Sequence, residues 1–263
     1  MSGRARAAGL GLVLGIAVAG CAVPAPAAPR DVTPAGTPVA LEGTLVVLAA
    51  ASLTDVVTDL AARLESAHPG LTVETAFGAS STLAAQVLTG APADVLLTAS
   101  RETMTVATDA VGGEPVVVAR NRLQLAVPAG NPGGVTSLAD LADPTLTIAL
   151  CAPEVPCGTL GAQVLARAGV SAAPDSLERD VRGVLTRLRL DEADAGLVYR
   201  TDVAAAAGQV EGIALPADVD VPTDHPAVVL PDAPHPEAAA AYLALLRGPT
   251  GRTVLAEAGF DLP

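Results

Sequence analysis

The stretch from Thr44 to Leu64 reads TLVVLAAASLTDVVTDLAARL. Residues 45–49 form a continuous apolar run bounded by Gly43 and Ser52, which is typical of a β-strand buried on both faces. The residues after Ser52 are apolar at every third or fourth position, which predicts an amphipathic helix with that serine at its N-cap. A buried strand that leads directly into a helix is the repeating unit of an α/β fold.

Further strands and helices alternate along the rest of the chain. We expect strands at 71–77, 94–98, 116–119, 123–127, 145–150, 195–198 and 225–230. We expect helices from Ser80 or Ser81 to Leu88, and at 137–141, 156–169, 180–190, 236–246 and 250–258. The polar residues 120–122 separate two of these strands and indicate a crossing between two lobes. The alternation predicts mainly parallel sheets with helices on both faces.

The composition excludes several functional classes. The 263 residues carry a formal charge of −13, and an acidic chain has no electrostatic basis for binding nucleic acid. All 15 basic residues are Arg, so Lys-dependent phosphate loops and Schiff bases are absent. The three histidines, His68, His225 and His235, are far apart in sequence and each adjoins a proline, which is a poor basis for a zinc site or a catalytic triad.

The first 42 residues resemble an export leader followed by a tether. Arg4 and Arg6 precede an apolar segment that is too short to span a bilayer, and the segment ends in Val18-Ala19-Gly20-Cys21. This resembles the lipobox of bacterial lipoproteins, which implies cleavage after residue 20 and a lipid on Cys21. The alternative is an ordinary signal peptide with a coincidental cysteine. Residues 21–42 are rich in Pro and Ala and predict an extended tether, and the loss of two Arg with the leader takes the charge from −13 to −15.

The remaining cysteines, Cys151 and Cys157, form a close pair. In an exported protein such a pair can oxidise, and Pro153 and Pro156 between them suit a tight local ring, so we expect a disulfide. The alternative is two buried free thiols. Two thiolates without a third ligand nearby do not make a tetrahedral metal site.

Hydroxyl residues follow two predicted strands at the points where helices begin. Ser52 and Ser80 occupy these positions, and a helix N-terminus there offers free backbone N–H groups to an anion. Each serine alone could be a simple N-cap, but ligands bind at the carboxyl ends of strands in open α/β sheets. Tyr199 also follows a predicted strand, so it is a candidate residue of the site. The alternative is that its ring only packs in the core. Arg182, beside a predicted helix start, is either an electrostatic helper of the site or an exposed residue of the helix surface.

Several short motifs together resemble the molybdate-binding subunit of ABC importers, the ModA type. They are AAASLT at 49–54, SSTLA at 80–84, GAPAD at 90–94, DVR at 180–182 and GLVY at 196–199. The resemblance runs from about Gly43 to the C-terminus. It implies a type II periplasmic-binding fold, which we expect to have lobe 1 formed by 43–120 and 227–263 and lobe 2 by 121–226. The predicted crossing strands suggest hinges near 119–122 and 222–226.

The resemblance also implies the ligand set. The oxyanion would be held by the hydroxyl and N–H groups of Ser52 and Ser80, the N–H groups of Cys157 and Val181, and the hydroxyl of Tyr199. Cys157 departs from the small residue expected at that position, but a position that acts through its N–H tolerates the change. The metal would enter only as the oxyanion, molybdate or tungstate, with no further cofactor.

The function implied is a high-affinity receptor that is anchored outside the cytoplasmic membrane. It would work as a monomer and deliver its anion to a permease driven by a cytoplasmic ATPase. A receptor for sulfate or another oxyanion with the same fold is the main alternative. A secreted serine hydrolase is a further one, but Gly78-Ala79-Ser80-Ser81 lacks the final Gly of a nucleophile elbow, and no recognisable triad order is present. A purely structural lipoprotein would have no reason to place hydroxyls at successive strand ends.

Overall fold

The computed structural model describes residues 40–263. The predicted leader, the lipidation site Cys21 and all but the last residues of the tether lie outside this range. The strands are β1 Glu42–Ala50, β2 Gly70–Gly78, β3 Val95–Leu97, β4 Val116–Pro128, β5 Ile148–Cys151, β6 Ser176–Glu178, β7 Ala195–Tyr199, β8 Val210–Ile213 and β9 Pro222–Val229. The helices are α1 Thr54–Ala67, α2 Ser80–Leu88, α3 Arg101–Val111, α4 Pro156–Ala168, α5 Val181–Arg189, α6 Arg200–Ala205, α7 Pro236–Arg247 and α8 Pro249–Glu257.

The strands pair in the order β2-β1-β3-β9-β4-β7-β5-β6, with β8 also on β4. Each predicted lobe has a central strand with a parallel neighbour on either side. Strand β1 pairs with β2 and β3, and β5 pairs with β6 and β7. The two crossing strands β4 and β9 run antiparallel to their neighbours and to each other, and they connect the two groups. The sheet is therefore mixed, which differs from the mainly parallel pairing that the sequence predicts, because the crossing strands add antiparallel pairs.

Strand β4 is one continuous element, although the sequence predicts two strands with a polar break. Asn121 lies in the middle of the predicted polar break and is fully buried, and its side chain donates to the Thr201 hydroxyl at 2.9 Å. Arg120 and Arg122 are half-exposed and form ion pairs with Asp224 and Asp220 at 2.9 Å. The polar residues are satisfied in place, so the strand passes through them without interruption.

Four elements of the structure were not predicted: α3, α6, β6 and β8. Helix α3 buries only Met104 and Ala107, so few apolar residues mark its buried face in the sequence. Its start is marked by Ser100, whose hydroxyl accepts from the Thr103 N–H, a cap that the sequence analysis missed. The other three have three to six residues each, which is too short for a clear period.

The GAPAD motif ends in a structural carboxylate. Asp94 is fully buried and accepts the Val46 N–H at 2.7 Å and the His235 N–H at 2.6 Å. These bonds tie the start of β3 to β1 and to the beginning of α7. The motif therefore holds the strands whose ends form the site described below.

Candidate functional site

All five residues of the predicted ligand set line one small cavity. Each of them has 5% or less of its surface exposed. The cavity is lined by Ala50, Ala51, Ser52, Gly78, Ala79, Ser80, Ala99, Val155, Pro156, Cys157, Asp180, Val181 and Tyr199. It lies where the two groups of strands meet.

The fold brings these residues together from both sides of the crossing strands. Parallel pairing of β1 with β2 and β3 places Ser52, Ser80 and Ala99 at one sheet edge, because the carboxyl ends of parallel strands meet there. From the other group come the first turns of α4 and α5 and the end of β7. Helix starts from both groups thus line one space, and the first N–H groups of a helix have no partner within the helix.

Ser52 and Ser80 do not cap the helices that follow them, which corrects the sequence expectation. The N-cap positions are occupied by Leu53 and Ala79, and neither makes a side-chain cap bond. Ser52 instead lies in a 3-10 turn, residues 51–53, that precedes α1. Both serine hydroxyls are thereby left for other partners.

Ser80 and Tyr199 are placed to donate a hydrogen into the cavity. The Ala99 N–H donates to Ser80 Oγ at 2.9 Å, so this oxygen already accepts a bond and keeps its own hydrogen available. The Tyr199 hydroxyl is buried and has no hydrogen-bond partner among residues 40–263. Burial, reinforced by the nearby Asp202 carboxylate, raises the pKa of Tyr199 far above its usual range, so the hydroxyl stays protonated. A buried donor that lines a cavity and has no partner in the described protein is available to a ligand that accepts a hydrogen bond.

His225 joins the site, and sequence reasoning missed it. Its Nε2 lies 3.1 Å from Ser52 Oγ, across 173 residues of sequence, and both side chains are buried. The ring also packs edge-on against Tyr199 and Phe260, with centroids 5.8 and 5.3 Å apart. The usable signal was its position within the predicted hinge, 222–226, in the crossing strand β9.

Charged groups at the cavity are few and mostly paired with one another. Asp180 lines the cavity, but its carboxylate caps α5 by accepting the Gly183 N–H at 3.0 Å. Arg182 lies between two carboxylates, with Nη2 2.6 Å from Asp55 Oδ2 and Nε 3.0 Å from Asp202 Oδ1. It is therefore not an exposed residue of the helix surface. Burial raises the pKa of Asp202 to about 7, and Arg182 opposes that shift.

A disulfide between Cys151 and Cys157 closes the loop that leads into α4. It joins the end of β5 to the first turn of α4, where Cys157 lines the cavity. Gly158 follows, and a Cβ there would lie 1.9 Å from the Ala152 carbonyl oxygen, so only glycine permits this approach. The first turn of α4 is thus held by a covalent bond and by close backbone packing.

The pair of Ser52 and His225 resembles a nucleophile and its base. A triad would need an acceptor on the other ring nitrogen, and His225 Nδ1 has no hydrogen-bond partner in the part of the chain that the structure describes. No group of three or more metal-ligating side chains occurs within residues 40–263. The same residues contain no helix with the length and apolar character needed to cross a bilayer.

Residues 45–261 match the family model of bacterial extracellular solute-binding proteins. The chain belongs to this family. The solute-binding protein is 34% identical over 255 residues to the molybdate-binding protein ModA of Mycobacterium tuberculosis H37Rv, which covers 96% of this chain and 97% of the relative. The resemblance of the sequence motifs to ModA-type proteins is thereby confirmed.

Solved structures confirm the fold of the solute-binding protein. The periplasmic molybdate-binding protein of Azotobacter vinelandii superposes with a TM-score of 0.72, at 23% identity, over 83% of this chain and 99% of the other. The sulfate-binding protein SubI of Mycobacterium tuberculosis H37Rv gives a TM-score of 0.73, at 17% identity, over 84% and 87% of the two chains. The type II periplasmic-binding fold expected from the sequence is therefore present.

Proposed function

We propose that this solute-binding protein is a receptor for molybdate and tungstate that delivers the anion to an ABC importer. The proposal depends chiefly on the cavity, where Ser52, Ser80, Tyr199 and the helix starts at Cys157 and Val181 present neutral hydrogen-bond donors. The 34% identity to a molybdate-binding protein over almost the whole chain supports the same ligand. The anion is the transported cargo, and the site needs no further cofactor.

Neutral donors select anions that carry no proton. Molybdate is a fully deprotonated dianion at neutral pH, so each of its oxygens can accept hydrogen bonds from N–H and O–H groups. Hydrogenphosphate would bring its own donor into a cavity rich in donors, and an unpaired buried donor costs about 1–3 kcal/mol. The site therefore favours molybdate over hydrogenphosphate without using a formal positive charge.

The overall negative charge of the chain does not prevent anion binding. Helix N-termini act at contact distance through their N–H groups, whereas surface carboxylates beyond about 8 Å are screened at physiological ionic strength. Arg182 is close to the site, but Asp55 and Asp202 already neutralise it. The binding energy would come from local dipoles and hydrogen bonds.

Sulfate is the alternative ligand, since it is also a dianion without a proton. The fold similarity to a sulfate-binding protein is consistent with this alternative. Sulfate and molybdate differ in size, so the dimensions of the cavity would discriminate between them. Tungstate is nearly as large as molybdate and should bind with it.

The remaining features follow from the proposed role. Anion capture would close the two lobes, with hinges at 119–122 and 222–226, where β4 and β9 pair. The closed monomer would then dock on a permease that is driven by a cytoplasmic ATPase. A lipid on Cys21 would keep the receptor at the outer face of the cell membrane.

Thermal unfolding with added anions tests the ligand. At about 100 times its dissociation constant, a ligand adds about 2.7 kcal/mol, which raises the Tm of a protein of this size by about 5–11 °C. We expect this shift with molybdate and tungstate and not with phosphate. A shift with sulfate alone would mean that sulfate, and not molybdate, is the ligand. No shift with molybdate, tungstate, sulfate or phosphate would refute the receptor proposal.

Serine variants test the site. Hydrogen bonds to a charged group contribute about 1.5–3 kcal/mol each, so Ser52→Ala and Ser80→Ala should each weaken molybdate binding about 10- to 100-fold. Ser81→Ala is the matched control, because Ser81 lies on the same helix but does not line the cavity. Unchanged affinity in the Ser52 and Ser80 variants would refute the assignment. Hydrolysis of a chromogenic ester that is lost in Ser52→Ala would instead support the hydrolase alternative.

A further inference from the structure

The hydrogen bond between Ser52 and His225 limits what the serine can do for an anion. A hydroxyl has one hydrogen, and Ser52 Oγ lies 3.1 Å from His225 Nε2. If the hydroxyl donates to the ring, only oxygen lone pairs are left toward the cavity, and these repel an oxyanion. If the ring donates to the hydroxyl oxygen, the hydroxyl hydrogen is available to the anion.

We propose that His225 is a positioning residue that makes Ser52 a hydrogen-bond donor to the bound anion. In the loaded protein, His225 Nε2–H donates to Ser52 Oγ and thereby directs the hydroxyl hydrogen into the cavity. The inference depends on the proposed function, because it requires an oxyanion in the cavity.

The contacts of Ser80 show the same arrangement with a fixed donor. Its oxygen accepts the Ala99 N–H at 2.9 Å, and a backbone N–H can only donate. Each serine thus receives one hydrogen bond from the protein and offers its own hydrogen to the ligand. The difference is that the imidazole of His225 can exchange donor and acceptor roles, whereas the backbone cannot.

The surroundings of His225 are compatible with a hydrogen on Nε2. Nδ1 has no aligned hydrogen-bond partner among the described residues, although the Thr223 carbonyl interacts with the ring. A hydrogen on Nε2 has the Ser52 oxygen as its acceptor at 3.1 Å. The ring faces the Tyr199 and Phe260 rings. The charged neighbour on its own strand, Asp224, is paired with Arg101 and Arg120.

His225 also contacts proposed anion-binding residues on both sides of the cavity. It bonds to Ser52, which follows β1, and it packs against the ring of Tyr199, which ends β7. It lies on β9 opposite Ala119, where the two crossing strands pair. This residue of the crossing strand therefore contacts anion-binding residues of both proposed lobes.

Nitrogen NMR of the imidazole rings tests the hydrogen position directly. The chain has three histidines, so the His225 signals of the ¹⁵N-labelled protein can be assigned by comparison with His225→Gln. At saturating molybdate we expect the protonated-type ¹⁵N shift for Nε2. A bare Nε2 in the molybdate-bound protein would overturn the inference. Failure of the unmodified protein to bind molybdate would instead be a failure of the proposed function.

A double-mutant cycle separates positioning from a structural role. His225→Phe keeps an aromatic ring but removes the donor, and we expect it to weaken molybdate binding about 2- to 10-fold in the unmodified background. In the Ser52→Ala background the same change should have no further effect, since the hydroxyl on which His225 acts is absent. His225→Gln, which keeps an N–H donor, should restore part of the affinity, and it replaces the Phe variant if that protein does not fold. Equal losses in both backgrounds would overturn the inference.

Discussion

Arg182 on α5 lies against Asp55 on α1, with 2.6 Å between Nη2 and Oδ2. The two residues belong to different lobes of the proposed division, and each lies within three residues of a proposed ligand, Val181 and Ser52. The ion pair therefore joins the two sides of the site at its edge. It can exist only while the two helix starts are this close.

Asp55→Asn should speed the release of molybdate. If the lobes separate before release, the neutral side chain no longer stabilises the closed form. The Asp55 side chain is 59% exposed, and exposed pairs contribute about 0.2–1 kcal/mol, so the dissociation rate should rise by up to about fivefold. Stopped-flow dissociation at low ionic strength measures this rate.

Asp59→Asn is the matched control for that experiment. Asp59 lies one turn later on α1 and pairs with Arg63 at 2.9 Å on the solvent side. It should leave the dissociation rate unchanged. Equal effects of the two variants, or no effect of Asp55→Asn, would show that the pair does not hold the lobes together.

Arg182→Ala should act mainly on stability. Asp202 is fully buried and would lose its guanidinium partner at 3.0 Å. Without Arg182 the buried carboxyl group must either stay charged without a counter-ion or take up a proton, and both cost stability at neutral pH, so the Tm should fall further than in Asp55→Asn. Thermal unfolding of both variants without ligand checks this order, and a Tm equal to that of Asp55→Asn would contradict it.

Tyr199→Phe should weaken anion binding without destabilising the empty protein. The hydroxyl is buried and unpaired among residues 40–263, so its removal breaks no protein hydrogen bond. With the anion present, one donor to a charged group is lost, which predicts about 10- to 100-fold weaker binding. Titration calorimetry and thermal unfolding together measure the two effects.

Tyr242→Phe provides the comparison. The Tyr242 hydroxyl on α7 is likewise buried without a partner in the described part of the chain, but it does not line the cavity. This variant should bind molybdate like the unmodified protein. If both tyrosine variants lost affinity alike, the loss would come from packing and not from a contact with the anion.

Local patterns in the sequence were sufficient for the frame of the fold. The apolar run before Ser52 and the periodic residues after it predicted β1 and α1 to within a few residues, because burial on both faces of a strand leaves a plain signal. The same patterns predicted serine caps that the structure does not have. Ser52 and Ser80 lie one position from the N-caps and bond elsewhere, which is expected where a site overrides a local rule.

Long-range contacts could not be predicted from local patterns. His225 meets Ser52 only because β9 crosses back between β3 and β4, and no periodicity near either residue encodes that pairing. The sequence does not decide whether Arg182 acts at the site or lies exposed on the helix surface, since its partners Asp55 and Asp202 are distant in sequence. Both contacts depend on the topology of the complete sheet.

Removing the disulfide should reduce both stability and binding. In the chain-entropy model, a ring as short as that between Cys151 and Cys157 contributes about 2 kcal/mol. The double variant Cys151→Ala with Cys157→Ala should lose about this much in urea unfolding. It should also bind molybdate more weakly, because the loop that positions the N–H of residue 157 is less constrained.

Reduction of the unmodified protein supplies the control for that variant. Reducing agent should produce the same loss in the unmodified protein and no change in the double variant. A double variant with full affinity would show that the close packing at Gly158 is sufficient to hold the first turn of α4.

Acid should destabilise the protein partly through His225. Burial lowers the pKa of His225 to about 4, against smaller opposing effects of the Thr223 carbonyl and Asp224, whereas an unfolded histidine has a pKa near 6.5. Between these values the unfolded chain binds a proton that the folded protein does not, so stability falls as the pH drops from about 6.5 to about 4. The contribution is at most about 3 kcal/mol. Asp202 acts in the opposite direction, since its raised pKa favours the folded state as the pH falls below about 7.

Comparison with His225→Gln isolates the histidine, because the two proteins share Asp202 and all other groups. We expect the unmodified protein to lose more of its unfolding free energy than the variant between pH 6.5 and pH 4. Urea unfolding at a series of pH values measures the difference between the two proteins. Parallel pH profiles would mean that His225 is protonated equally in the folded and unfolded states, which would contradict its burial as a neutral ring against Ser52.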